Sequence, residues 1–320
     1  MVITGELFAL CDSETMNELI REHVLPRCQP FLKWAGGKRW LSTALGLLVG
    51  DGTTRYFEPF LGSGAAFFTA PVSNAILSDS NSELINCFTV VRDRPSQLIS
   101  RLSQLEISRE TFTHMRPSVP TSAINRAVRF IYLNKTAFNG LYRVNRNGEF
   151  NVPFGCKPTT ELCDRSTIEA CSQRLQSAEL STCDFSCTLK NAKVGDHVYL
   201  DPPYTVKHNN NGFRRYNERL FSWADQERLA VLATERVRSG VCVVVTNGLH
   251  QDVRRLYSSR DFLGFTVTRA SNMAAQTEKR GISSELLLAS ITLGHSQIQL
   301  LKFLRDCLPY DVHSIRLLGR

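Results

Sequence analysis

The chain has 320 residues, of which 42% are hydrophobic and 21% charged, proportions that exclude collagen, coiled coil and wholesale disorder. Lysine plus arginine number 38 against 30 aspartate plus glutamate, a net charge of +8. That excess favours a polyanionic partner, nucleic acid first, although a merely soluble basic protein shows the same balance.

Residues 1–29 read as an N-terminal extension. Thr15 and Glu18 have capping-box spacing, and Met16, Leu19, Ile20 and Val24 line one helical face until Pro26. A short loop follows, Phe31-Leu32-Lys33-Trp34-Ala35-Gly36-Gly37-Lys38. It is not a phosphate loop, because Leu32 stands where glycine is needed and Arg39 where serine or threonine is needed. Arg55–Phe60 reads as a buried strand, Leu61-Gly62-Ser63-Gly64 as a turn, and Ala65–Thr69 as the start of a helix. A second strand, Asn74–Ser78, ends at Asp79, and a helix over Ser82–Val91 completes a βαβ opening. The middle, about 95–180, holds a helix at Ile124–Asn134 and a hairpin turn at Asn147-Gly148. Alternation resumes with strand His197–Leu200, helix Trp223–Val237, strand Val241–Thr246, and closing strands Phe265–Arg269 and Glu285–Ser290. The tail carries an amphipathic helix at Ile298–Leu308.

Other classes are disfavoured by the same pass. Apolar runs such as Val241–Val245 are far shorter than the ~20 residues of a membrane span. No basic segment followed by an apolar one opens the chain, so a cytoplasmic location is expected. The ten cysteines are too sparse for a disulfide scaffold. Cys183 and Cys187 lack the second pair that a zinc set requires, so no metal is expected.

Four segments carry chemistry, the first being the Phe31–Lys38 loop, whose aromatic, two permissive glycines and cation suit close packing of backbone against a ligand or an ordinary turn. In Phe57-Glu58-Pro59-Phe60-Leu61-Gly62-Ser63-Gly64, a glycine turn ends the first strand, where α/β folds bind ligands. Glu58 there would repel a pyrophosphate and suits a cationic or neutral nucleoside. A tight strand–helix turn without a ligand remains the alternative. Asp79, at the end of the second strand, has the position of an acid that accepts hydrogen bonds from ribose hydroxyls, or it caps the next helix. In Asp201-Pro202-Pro203-Tyr204, the carboxylate and an extended proline carbonyl offer two acceptors to an exocyclic amine, and Tyr204 offers a face for stacking. An adenine amino nitrogen is a poor nucleophile because its lone pair is delocalised. Two acceptors on its hydrogens favour a pyramidal nitrogen that can attack.

The ordered set FLKWAGGK, EPFLGSG and DPPY, together with LNKTAFNGLYRVNRNGEFNVPFG over Leu133–Gly155, resembles the Dam-type (N6-adenine) DNA methyltransferases across residues 30–292. The resemblance implies an α/β, Rossmann-like methyltransferase core at 30–95 and 180–292. It also implies a mostly helical target-recognition insert with a β-hairpin at 96–179, leaving 293–320 as a C-terminal extension. It implies S-adenosyl-L-methionine as cofactor and double-stranded DNA as partner. The activity implied is a site-specific, adenine-specific methyltransferase, with GATC the leading target. A cognate restriction endonuclease acting on the same site, and a nucleoid-associated location, fit that role. The family pattern places Trp34 and Lys38 at the cofactor pocket, Glu58, Phe60 and Gly62 around its methionine, Asp79 on the ribose, and Asp184-Phe185 by its adenine. Asp201, Pro202 and Tyr204 would hold the target base, with Asp201 also lining the cofactor pocket. Phe138, Asn139, Leu141, Arg143 and Pro153 match the DNA-reading positions. Arg143 is suited to guanine's two major-groove acceptors, and Leu141 and Pro153 to a thymine methyl. Residues 126–157 carry six basic side chains against one acid, Glu149; Arg126 and Arg129 among them are equally readable as surface residues.

Competing chemistries are weaker. A cytosine ring-carbon methyltransferase needs a nucleophilic cysteine, usually after proline, and no Pro-Cys dipeptide occurs. Serine is commoner at the first position of amino-cytosine enzymes. RNA and protein-glutamine methyltransferases carry an Asn-Pro-Pro-Tyr form. A regulator with a dead catalytic domain would not need an intact DPPY and Asp79.

Overall fold

A computed structural model describes residues 28–34, 36–38, 41, 54–145, 147–155, 159–205, 221–258, 260–270, 282–291 and 312–317. The helices expected near Met16–Val24 and at Ile298–Leu308 lie outside the described residues.

Five strands are mutually parallel: β1 (Tyr56–Glu58), β2 (Ala75–Asp79), β3 (Ala178–Thr182), β4 (His197–Leu200) and β5 (Cys242–Gly248). Three more pair antiparallel: β6 (Phe262–Ala270), β7 (Ile282–Ser290) and β8 (Val312–Leu317). They form one sheet in the order β3-β2-β1-β4-β5-β7-β6-β8. The chain runs outward from β1 to β3, then returns to lay β4 on the other side of β1. This reversal makes the carboxyl ends of β1 and β4 a topological switch point, where an open α/β sheet leaves a crevice for a ligand.

The period-2 alternation of the strands feeds two cores. Tyr56, Tyr199 and Val244 face one layer, and Phe57, Val198, Leu200, Val243 and Val245 face the other. The first layer is built from α1 (Ser82–Asp93), α2 (Pro95–Ser103), α4 (Ala123–Thr136) and α5 (Arg165–Leu175), which follow one another with α3 (Arg109–Met115) between α2 and α4. The second is built from α6 (Phe185–Leu189), α7 (Trp223–Arg238) and α8 (Gln251–Arg255). The α/β, Rossmann-like class expected from the sequence is the class found.

Several expectations are corrected. Ala65–Thr69 is a set of turns, because the Phe67 N–H is given to Glu58 Oε2 at 3.1 Å and the helical ladder is interrupted. Helices α2 and α5 fall inside the span expected for the insert, yet Leu98, Leu102, Ile168, Cys171 and Leu175 join the first core of the sheet. A separate small core, formed by Phe112, Tyr132, Leu133, Ala137, Phe150, Val152 and Leu162, lies between them in sequence. The tail at 293–320 is more than an appendage, since β8 within it extends the sheet beside β6.

Candidate active site

The turn after β1 is shaped by two glycines in the left-handed region, Gly62 at φ +50° and Gly64 at φ +69°. The Trp34 ring lies directly over the first: a Cβ on Gly62 would come within 2.9 Å of Trp34 Cδ1. Trp34 itself is supported by stacking on Phe130 and Tyr142, with centroids 6.4 and 6.3 Å away. Asp79, at the tip of β2, accepts from the Gly62 N–H at 3.1 Å and from the Asn81 N–H at 2.9 Å. The capping alternative falls to a neighbour, because the Asn81 side chain accepts from Glu83 N and Leu84 N at the start of α1. Asp79 instead ties the second strand to the glycine turn. Burial raises its proton affinity above the ordinary aspartate value, against the pull of those backbone donors.

Glu58 is buried and accepts from the Tyr56 hydroxyl at 2.8 Å as well as from Phe67 N. Burial pushes its carboxyl up to about 8, and the charges of Asp201 and Asp79 add to the rise. Two further carboxylates, Asp201 and Glu285, stand close by.

DPPY leaves β4 beside this cluster. Lys38 Nζ lies 3.0 Å from Asp201 Oδ1, 3.1 Å from its Oδ2, 3.6 Å from Glu285 Oε2, and 4.8 Å from the centre of the Tyr204 ring. It also donates to the Gly36 carbonyl at 2.6 Å. Thr246, on β5, donates to Asp201 Oδ1 at 2.8 Å. Burial raises the proton affinity of Asp201, and Lys38 opposes the rise. The Tyr204 hydroxyl donates to Glu285 Oε2 at 3.0 Å. Gln226 on α7 donates to the Pro203 carbonyl at 3.1 Å and is itself held by Asn247 Nδ2. The corner is therefore braced from β5, β7 and α7.

Phe185 and Phe60 stack at 5.4 Å, and Phe221 closes an aromatic trio with them. Asp184 caps α6 through Ser186 N and is gripped through both oxygens by Arg228, at 2.7 and 2.9 Å. Arg228 also lies 4.2 Å from the Phe185 ring and holds the Asp184 carboxyl well below the ordinary range.

The recognition candidates sit together at the other end of the Trp34 loop. Phe138–Gly140 forms a tight turn in which Asn139, at φ +54°, is the one described non-glycine residue with positive φ. Phe138, Asn139, Arg143 and Pro153 are exposed and Leu141 is half-buried. The hairpin is short: Val144 bridges Phe150 antiparallel, Gly148 turns at φ +78°, and Arg143 donates to the Asn151 carbonyl. Arg126 and Arg129 have structural partners, Glu83 and the carbonyls of Met115 and Arg116 respectively.

Sequence reasoning brings out Trp34, Lys38, Glu58, Gly62, Asp79, Asp201 and Tyr204, and the fold gathers them around the carboxyl ends of the central parallel strands. It misses Glu285, Thr246, Gln226 and Arg228, which reach the site only through strand and helix packing. Among the described residues, no three His, Cys, Asp or Glu side chains form a metal-holding group, and no described helix is long and apolar enough to cross a membrane.

The site suits a cationic nucleoside cofactor. Two carboxylates, Asp201 and Glu285, share one ammonium, the Glu58 carboxyl beside them is driven to about 8 chiefly by burial, and the glycine bend packs directly under an indole.

Comparison with known proteins agrees. The profile of the D12 class N6 adenine-specific DNA methyltransferases matches residues 34–274. The chain is 35% identical over 272 residues to the type II methyltransferase M1.LlaDCHI of Lactococcus lactis subsp. cremoris, covering 82% of this chain and 95% of that one. It is 30% identical over 284 residues to the type II methyltransferase M.MjaIII of Methanocaldococcus jannaschii, covering 81% and 98%. To the DNA adenine methylase of Haemophilus influenzae it is 30% identical over 267 residues, covering 81% and 92%.

Proposed function

The chain belongs to the D12 class N6 adenine-specific DNA methyltransferase family, and on that premise we propose how its residues divide the reaction. It is an S-adenosylmethionine-dependent DNA adenine methyltransferase. When bound, the cofactor supplies a methyl carbon made electrophilic by its sulfonium. Trp34 and Lys38 would line the cofactor pocket, Glu58, Phe60 and Gly62 would surround its methionine part, Asp79 would hold the ribose, and Asp184 and Phe185 would lie by its adenine.

The target adenine leaves the duplex and lies on the face of Tyr204. Asp201 and the Pro202 carbonyl accept the two hydrogens of its amino group, which frees the nitrogen lone pair for attack. Glu285 holds the Tyr204 hydroxyl, and Thr246 holds one oxygen of Asp201. Orientation within this corner supplies much of the rate. The observation that carries this reading is the convergence of Asp201, Tyr204 and Glu285 on one ammonium beside the glycine turn, so that an amine-binding corner and a cation-seeking pocket adjoin.

Phe138, Asn139, Leu141, Arg143 and Pro153 read the duplex, and GATC is the target proposed. The type II names of two relatives support a cognate endonuclease acting on the same site, with the methyltransferase residing on the host's DNA. The test is transfer of labelled methyl from S-adenosylmethionine to unmethylated duplexes, with product nucleosides identified after digestion. N6-methyladenine in GATC duplexes, and little in duplexes lacking GATC, is expected. Equal labelling of both overturns the target; label found only in cytosine overturns the roles.

A further inference from the structure

Asn134 is a fully buried carboxamide near the end of α4 that no motif of the cofactor or base pocket includes. Its Oδ1 accepts from the Lys33 N–H at 2.9 Å, and its Nδ2 donates to the Lys33 carbonyl at 2.7 Å and to the Gly140 carbonyl at 3.2 Å. Both donor hydrogens are used, and the bonds to Lys33 imitate the paired N–H and C=O of a neighbouring β-strand. One side chain thus joins the peptide immediately before Trp34, which roofs the glycine turn, to the left-handed turn that presents Phe138 and Asn139.

The two segments also touch directly. A Cβ on Gly140, at φ +64°, would come within 2.5 Å of Lys33 Cδ, so only glycine lets the lysine arm cross this turn. Beyond it, Tyr142 stacks on Trp34 from the recognition side. The recognition turn and the Trp34 peptide are thus linked by hydrogen bonds through one buried side chain and by ring contact.

We propose that Asn134 is a positioning residue that couples duplex recognition to the cofactor pocket by strutting the Phe138–Gly140 turn against the Lys33-Trp34 peptide. The proposal rests on the functional reading above. It predicts that cofactor and cognate duplex each tighten the other's binding, with a coupling in the usual range of roughly 5–150-fold, and that this coupling passes through Asn134.

The experiment measures the dissociation constant of S-adenosylmethionine, by calorimetry on the full chain with and without a GATC duplex whose target adenine is already methylated. In Asn134→Ala the coupling falls to about one while cofactor affinity without DNA changes by less than about threefold. A variant merely less stable would keep the wild-type ratio. If Asn134→Ala fails to fold by thermal melting, the isosteric Asn134→Asp, which loses the carboxamide's two donors, is read instead. Unchanged coupling in the folded variant, or no coupling in the wild type, overturns the proposal. Failure of the wild type to methylate adenine in duplex DNA would overturn the functional reading instead, so the two failures are separable.

Discussion

Lys38 Nζ stands 3.0 Å from Asp201 Oδ1 and at the same time against the Tyr204 ring, so one ammonium holds the two surfaces proposed for the target amine. It satisfies a half-buried carboxylate that would otherwise lack a cation, at a site where an unpaired charge is costly. Seating the base requires the lysine to yield part of this contact. Ionised Asp201 is the stronger acceptor for the amine's hydrogen. Its folded-state proton affinity is raised by burial and restrained by Lys38, so activity is lost as pH falls through a value above the ordinary aspartate range. Replacing Lys38 by Met removes the restraint. The acid limb of the kcat profile then moves to higher pH, measured by single-turnover methylation between pH 5 and 9. An unmoved limb would show that Lys38 does not act through Asp201.

Asp201→Ala removes the first acceptor of the target amine and leaves Trp34, Gly62 and Asp79 in place. Methyl transfer is expected to fall by at least ~100-fold, the scale of losing one oriented electrostatic partner. Cofactor affinity is expected to change by less than about tenfold, because Lys38 keeps Glu285 as a partner at 3.6 Å. Labelled methyl incorporation and equilibrium dialysis separate the two effects.

The parts of the site that read directly from sequence are those where backbone geometry demands special residues. Gly62 and Gly64 adopt positive φ, and two prolines fix the corner after β4. Their neighbours Glu58, Asp79 and Asp201 then follow from strand ends at a switch point. Glu285 gave no such signal. It lies 81 residues beyond Tyr204 on an antiparallel strand, and only the insertion of β7 between β5 and β6 brings it to the tyrosine hydroxyl. Asn134 was hidden in a helix, where an asparagine reads as a weak helix former until its partners on Lys33 are seen. Strand β3 gives no clear signal because its AELST sequence is mostly exposed and lacks the continuous buried run of β5. Helix α5 gives a weak signal because one of the four residues on its buried face, Ser172, is polar, leaving Ile168, Cys171 and Leu175 as the apolar stripe.

Arg143 is exposed and, among the described residues, donates through one guanidinium nitrogen to the Asn151 carbonyl. If it reads guanine, Arg143→Ala costs about 1–3 kcal/mol of discrimination at that base pair. The measurement is kcat/KM on GATC duplexes and on duplexes changed at the guanine alone. The two values are expected to converge in the variant. A uniform loss across both duplexes would mark Arg143 as a phosphate contact instead.

Glu58 links the site to pH in a direction opposite to that of a stabilising ion pair. Its carboxyl titrates near 8 in the cofactor-free fold, against an ordinary value of 4.5, chiefly through burial. Between those pH values the folded chain keeps a proton that the unfolded chain releases, so this group's contribution to stability declines as pH rises from about 4.5 to about 8 and is constant above. A sulfonium bound beside it favours the ionised form. Cofactor binding below pH 8 therefore expels a proton, and affinity strengthens with pH by up to about tenfold per unit until it levels off. Calorimetry in two buffers of different ionisation enthalpy counts that proton. S-adenosylhomocysteine, whose sulfur is neutral, is expected to show a weaker dependence, and Glu58→Gln to abolish the dependence for both. A full proton release retained in Glu58→Gln would move the linkage to Asp79 or Asp201, whose proton affinities burial also raises.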